Sequence, residues 1–196
     1  MSEQSKENTA RKLLGFTDAV AEYIAPVLLP YGFVFVSSTL YSVEFASSFV
    51  RVLVTHEPLS YELDIDLIPK ACEANKISLS GLIYSEIGPM PSPGIFFQSS
   101  NRSGVASSTR QMAALLARFG RGVLTGDAAA FKHANATQSR LAARYWEQFT
   151  VNPIREQANE AWRRRDFKRV CELYQSVETK LTPSEKKRLT YARKFL

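Results

Sequence analysis

The sequence predicts an α+β fold: an antiparallel β-meander of four or five strands with a covering N-terminal helix, followed by a C-terminal helical bundle. Three observations predict it. Between Tyr41 and Leu67 apolar and polar residues alternate, so one face of the strands is apolar and the other polar. From Ser107 onward apolar residues recur at helical spacing. A stretch rich in Pro, Gly and Ser, 87–108, separates the two patterns. The expected organisation is 1–86 for the helix and sheet, 87–108 for a loop or linker, and 109–196 for a helical region with a basic surface.

Leu13, Phe16, Val20, Ile24 and Val27 form one apolar stripe of the first helix. Thr9 or Thr17 offers a cap, Pro26 should kink or restart the helix, and Pro30 with Gly32 should end it. Strands follow at 32–37, around Tyr41, Val43 and Phe45, around Val50, Val52 and Val54, and around Tyr61, Leu63, Ile65 and Leu67. Ala46 to Ser48 and His56 to Ser60 suit hairpin turns. A fifth strand is expected at 76–84, with Gly81 marking a bulge or a close backbone approach, and a short strand at Ile95 to Gln98. In the second half Met112, Leu115, Leu116 and Phe119 mark a helix stopped by Gly120. Asp127 should cap a short helix to Asn135. A longer helix or helix pair covers 138–165 with a restart at Pro153, and Asp166 should cap the next. Thr182-Pro183-Ser184-Glu185 has capping-box spacing with proline in the first helical position.

The chain has 196 residues and a net charge of +6. Residues 1–136 hold 11 Lys/Arg against 12 Asp/Glu, and residues 137–196 hold 14 against 7, so the positive excess lies in the last third. Such a surface suits an acidic partner. Cys72 and Cys171 lie in no motif and read as reduced thiols. The polar N-terminus lacks the apolar core of a secretory signal, and no uninterrupted apolar run reaches membrane-spanning length. The expected location is the cytoplasm, with no membrane partner.

Residues Ile154 to Leu189 resemble a tetratricopeptide repeat. Ala158 stands at a small-residue position of the first helix, and Asp166-Phe167 at the polar-aromatic turn. Val170, Tyr174 and Val177 follow the spacing of the second-helix core, and Thr182-Pro183 sits at the closing turn. Trp162 is one place from the family's aromatic, Val170 replaces an alanine, and one unit is present, where solenoids need about three. The resemblance implies a helical hairpin that binds protein. The order helix, meander, helical bundle is similar in kind to small bacterial cytosolic immunity proteins, which implies binding and neutralisation of a cognate toxin.

No catalytic motif is present, and no cofactor is expected. Glu62, Asp64 and Asp66 share one strand face, with Glu44 across the sheet; such carboxylates can hold Mg²⁺ for hydrolysis, or simply form a solvated sheet face. His56 and His133 read as surface histidines without ligand-spaced partners. Gly120, Gly122 and Gly126 read as a helix stop and restart. Arg163, Arg164, Arg165, Lys168 and Arg169 form the densest basic run, interleaved with Trp162 and Tyr174, and a second basic run surrounds Tyr191. Arg102 and Arg110 can form an anion-binding rim beside the loop. These cations are the expected partner-binding residues. The expected function is a non-enzymatic protein-interaction module, an immunity protein in its most specific form. A nucleic-acid-binding protein using the basic helices and a metal-dependent hydrolase using the acidic strand are the alternatives.

Overall fold

The structure is a computed structural model that describes residues 9, 11–88 and 96–196. It has the predicted α+β architecture. Helix α1 covers residues 16–31 as an α-turn Phe16–Ala19, a π-turn Val20–Ile24, an α-turn Ala25–Leu28 and a 3₁₀ turn Leu29–Tyr31. Strands β1 (Val34–Ser38), β2 (Ser42–Ala46), β3 (Val50–His56) and β4 (Glu62–Pro69) form an antiparallel meander in sequence order. The other edge of β4 is shared by two short strands. β5 (Ile77–Ser78) pairs with Asp66 and Leu67, and β6 (Phe97–Gln98) pairs with Glu62 and Leu63.

Burial along β3 and β4 follows the alternation. Val50, Val52 and Val54 are fully buried, as are Ile65 and Leu67, while Arg51, Leu53, Thr55, Asp64 and Asp66 lie on the half-exposed face. The buried face packs with Phe16, Val20, Ile24 and Leu28 of α1 into one core. By length and composition 11–31 is apolar enough to cross a membrane, yet that stripe of four side chains is spent on the core.

Both predicted proline breaks are absorbed by π-turns. Before Pro26, the Ala25 N–H donates to the Val20 carbonyl, and before Pro153 the Asn152 N–H donates to the Glu147 carbonyl. An α-helix would leave the carbonyl four residues before each proline without a donor and against its ring; the wider turn relieves both. Pro153 therefore neither stops nor separates a helix. Helix α5 (Ala128–Trp146), the π-turn Glu147–Val151 and helix α6 (Asn152–Arg163) follow without interruption. The expected helix end at Asn135 does not occur either.

The expected fifth strand at 76–84 is corrected to the two residues of β5 followed by helix α2 (Leu79–Ile87). Ser78 decides the change: its Oγ accepts from the Gly81 N–H at 3.1 Å, a helix N-cap. Gly81 is then no bulge but the other expected case, a close approach: it lies in α2 against Gln138, whose Oε1 accepts from the Ser78 N–H. Helix α3 (Arg102–Phe119) begins five residues earlier than the apolar spacing suggests, because Asn101 caps it through the Gly104 N–H at 2.9 Å. A short helix α4 (Arg121–Leu124) follows. The expected strand at Ile95 to Gln98 is β6, with Ile95 outside the described residues. The position before α1 is held by Gly15 at φ 64, not by a threonine, and Gly32 at φ 73 ends the helix as expected.

The chain divides into compact units 1–139 and 140–196, so the expected boundary at 87–108 moves to the middle of α5. Within 140–196, α6, α7 (Phe167–Ser176) and α8 (Pro183–Ala192) enclose Ala158, Val170, Tyr174, Val177 and Leu189 in a second core. Asp166 caps α7 through the Arg169 N–H at 3.0 Å. Thr182 and Glu185 form the predicted capping box. Replacing Asp166 or Thr182 with Ala should lower stability by about 1 kcal/mol each, read as an earlier urea midpoint with an unchanged slope.

Candidate interaction surface

The predicted basic run lies where α6 turns into α7. Its geometry comes from a tight reversal: Arg165 adopts φ 59, rare for a side chain with a Cβ, and its carbonyl accepts from the Phe167 N–H at 3.0 Å. This reversal brings Trp162 and Phe167 edge to face, with centroids 5.6 Å apart. The C-terminal end of the chain completes the group. Tyr191 meets Trp162 at 5.6 Å and Phe167 at 5.8 Å, and Phe195 stacks on Phe167 at 4.7 Å. Tyr191 and Phe195 remain about half exposed. The Arg188 guanidinium lies 5.6 Å from the Trp162 ring and donates to Asn159 Oδ1 at 2.6 Å. The basic residues were legible in the sequence, but the four-ring cluster was not. Its signal was the i,i+4 spacing of Tyr191 and Phe195, readable only once α8 was known to return to the α6–α7 turn.

The cations divide into two sets. Arg163 and Arg164 share Glu160 at 3.6 and 2.9 Å, Arg169 pairs with Glu172 at 3.0 Å, and Arg193 with Glu178 at 3.4 Å. Arg155 is a structural hub: it pairs with Glu147 and Glu185 and donates to the Lys180 carbonyl. The side chains of Arg165, Lys168, Lys186, Lys187 and Lys194 have no ion pair or hydrogen bond among the described residues. Lys187 sits one helical turn before Tyr191, and Arg165 and Lys168 flank Phe167 in sequence. Unit 140–196 holds 14 Lys/Arg against 7 Asp/Glu, which is all of the chain's positive excess.

Arg102 and Arg110 both belong to α3 in unit 1–139. Arg110 donates to Tyr23 Oη at 2.8 Å with its guanidinium over that ring. That bond strengthens its charged form. Arg102 lies against Gly15.

The acidic row occupies the half-exposed sheet face, but its members do not converge. In register Glu44 and Asp66 are separated by Leu53, and Glu44 pairs with Arg51 at 3.5 Å. Asp66 pairs with Lys76 at 2.9 Å, which favours the charged lysine. Among the described residues no group of three or more His, Cys, Asp or Glu is placed to hold a metal ion. Asp64 sits beside the gap between β5 and β6, where a cavity of about 120 Å³ is lined by Glu62, Asp64, Leu79, Ser80, Phe96 and Phe97. Its Oδ1 accepts from the Ile65 N–H at 2.7 Å. Burial, against that bond, pushes its pKa up to about 6, with the charges of Asp66 and Glu62 adding and Lys76 opposing.

His56 is not a surface residue: it is fully buried. The alternation of β3 continues through it, so Val50, Val52, Val54 and His56 share the inward face, a signal present in the sequence and overlooked because histidine is usually exposed. Its Nε2–H donates to the Ser99 carbonyl at 3.0 Å, and its ring rests on Phe16 and Tyr61. Arg11, also buried, donates to the Glu57 and Pro58 carbonyls and lies over Tyr61 at 4.2 Å. Burial first, and the Arg11 charge, lower the His56 pKa against the Ser99 bond. His133 donates to the Ser85 carbonyl. Both histidines thus bond main-chain oxygen rather than a hydroxyl or thiol nucleophile.

Compared with protein-family models, with curated proteins and with solved structures, the chain matches none.

The two perturbed groups pull stability in opposite directions. Asp64 binds its proton more tightly folded than unfolded, so its contribution is full below pH 3.8 and is lost as pH rises through about 6. His56 binds its proton less tightly when folded, so it costs stability as pH falls below 6.5. Asp64→Asn keeps the acceptor for Ile65 and should stabilise the protein above pH 6 by up to about 3 kcal/mol. It should also leave a steeper loss of stability on acidification from pH 6.5 to 4, read by urea denaturation at each pH.

Proposed function

We propose that the chain is a non-catalytic protein-interaction module whose contact surface is the aromatic cluster Trp162, Phe167, Tyr191 and Phe195 with the unpaired cations around it. One observation carries this reading. Four aromatic rings form one contact cluster yet stay partly exposed; Arg165 and Lys168 flank Phe167 in sequence, Lys187 lies one helical turn before Tyr191, and none of the three has a partner among the described residues. Clustered aromatics with basic neighbours are the composition of an interface centre, and the charge suits a partner acidic at the contact. In its most specific form the partner is a toxin that this protein, as a bacterial immunity protein, covers in the cytoplasm. The two thiols, both free, suit a reducing compartment.

Nucleic acid is the second reading, since cations interleaved with aromatics also bind single strands. Against it, the ring faces are largely turned to each other: Phe167 and Phe195 stack on one another, and Trp162, Phe167 and Tyr191 meet edge to face. Stacking a base needs an open face. The metal-hydrolase reading draws no support from a carboxylate row that does not converge.

Reversing Arg165, Lys168 and Lys187 to Glu tests the reading. Surface changes of this kind should move stability by no more than about 0.5 kcal/mol each. Used as baits in extract from the native host, the parent should retain a protein that the variant releases. A protein retained equally by both removes this surface from the contact. A steep salt-dependent affinity of the parent for short DNA or RNA, lost in the variant, would install the nucleic-acid reading instead.

A further inference from the structure

The open edge of the sheet carries a separate feature. All five residues of β1 are exposed. Val34, Phe35 and Val36 are 65%, 59% and 51% exposed, and Leu29, just before the strand, is 72% exposed. β1 pairs only with β2, so its outer edge of N–H and C=O groups has no partner strand among the described residues. Edge strands are ordinarily protected by Lys, Pro or charged side chains. Val34–Ser38 has none, and its one guard is the bulge at Val36. Beside the edge lies a groove of about 380 Å³. Thr17, Asp18, Ala21 and Ala25 of α1 form one wall, Phe35 and Ser38 form the other, and Val43 and Phe45 lie at its floor. Thr17, Ala21 and Ala25 are small, which leaves room for side chains from an added strand, and Asp18 is the one charged residue of the lining.

We propose that β1 is the interface of a homodimer, in which a second copy of this chain adds its own β1 antiparallel to the first and sets apolar side chains in the groove. Three observations select a second copy as the occupant. An antiparallel pair of identical strands is self-complementary about a twofold axis and satisfies both open edges at once. The strand is uncharged, unit 1–139 holds 11 Lys/Arg against 12 Asp/Glu, and Asp18 is the only charge in the groove lining, so little like-charge repulsion opposes the approach of this face to its copy. The area also suffices: the exposed parts of Leu29, Val34, Phe35 and Val36, with the strand edge, offer roughly 500 Å² per copy. Pairing then removes about 1,000 Å² in total, the lower bound for a specific interface, so the dimer is reversible rather than obligate. The meander would continue through the twofold as one sheet. The inference is independent of the aromatic surface, which lies in the other unit.

Sedimentation equilibrium of the full chain, from about 1 to 200 µM, is the test, a range that brackets the affinity of a small interface. The parent should pass from monomer to dimer. Val36→Lys should shift the midpoint at least tenfold to higher concentration with unchanged melting, and the Arg165, Lys168 and Lys187 reversals should leave it in place. Should the lysine variant misfold, cysteines at Val34, Val36 or Ser38 in a Cys72→Ser background give a second reading. At least one should oxidise to a disulfide-linked dimer, while Ser107→Cys on α3 should not. A parent that sediments as monomer throughout overturns the proposal, as does a dimer indifferent to Val36→Lys. A monomer that instead captures a foreign protein through β1, lost in Val36→Lys, would transfer the edge to another chain's strand.

Discussion

The inward row of the sheet is the constraint from which unit 1–139 is built. Val52, Val54 and His56 on β3 oppose Leu67, Ile65 and Leu63 on β4 in register, and all six are buried. Pairing them costs chain entropy that only the removal of their apolar area from water offsets, so the face must be covered. The stripe of α1 supplies part of that cover, and α2 and α3 add Leu82, Ile83, Val105, Met112 and Leu116 to the same core. The acidic row follows from the same periodicity. Every inward apolar residue of β4 forces its neighbour outward, and the outward positions are Glu62, Asp64 and Asp66. Each of the three has its own partner: Glu62 accepts from the Ser60 hydroxyl, Asp64 from the Ile65 N–H, and Asp66 pairs with Lys76, so they do not gather around one point.

That periodicity made the meander readable from residue types alone, as did the caps at Asp166 and Thr182, whose donors lie within four residues. Other features failed where the deciding contact was distant or the rule was given up too early. The helix α2 looked like a strand because Ile77, Leu79 and Ile83 alternate; the cap at Ser78, steadied by Gln138 sixty residues away, overrides that pattern. The domain boundary was misplaced because a Pro/Gly-rich stretch marks irregular backbone, not loss of contact across it, and α3 continues the first core. His56 follows the strand period rather than the exposure usual for its residue type. At the candidate surface the cations were legible individually, but which of them glutamates neutralise is fixed by the fold of the α6–α7 turn.

The two prolines show how the backbone accommodates a residue that composition marks as a breaker. At both sites the helix widens by one residue per turn just before the ring, with an i→i+5 bond at its end. The extra residue keeps most main-chain groups bonded while rotating the face that follows by roughly 100° relative to an uninterrupted α-helix. Before Pro153 the π-turn itself holds the exposed Phe149, whose ring lies 4.5 Å from that of Tyr145 in α5, and it leads into the buried Ala158 and Ala161 of α6. The π-turn thus sets which side chains of one continuous helical run enter the core of 140–196 and which are left to solvent.

Both units expose apolar side chains, but the positive excess lies in one of them, and that difference argues for two different kinds of contact. The nearly neutral unit exposes an uncharged strand edge, where backbone geometry dictates the partner's conformation and charge selects nothing. The basic unit exposes aromatic rings among cations, where the partner's sign matters and its backbone conformation does not. A single surface serving both would place like charges opposite one another across the twofold of any self-pairing, at a cost that grows with each unpaired lysine. With the positive excess in 140–196 and β1 in 1–139, neither surface has to accommodate the physical demands of the other.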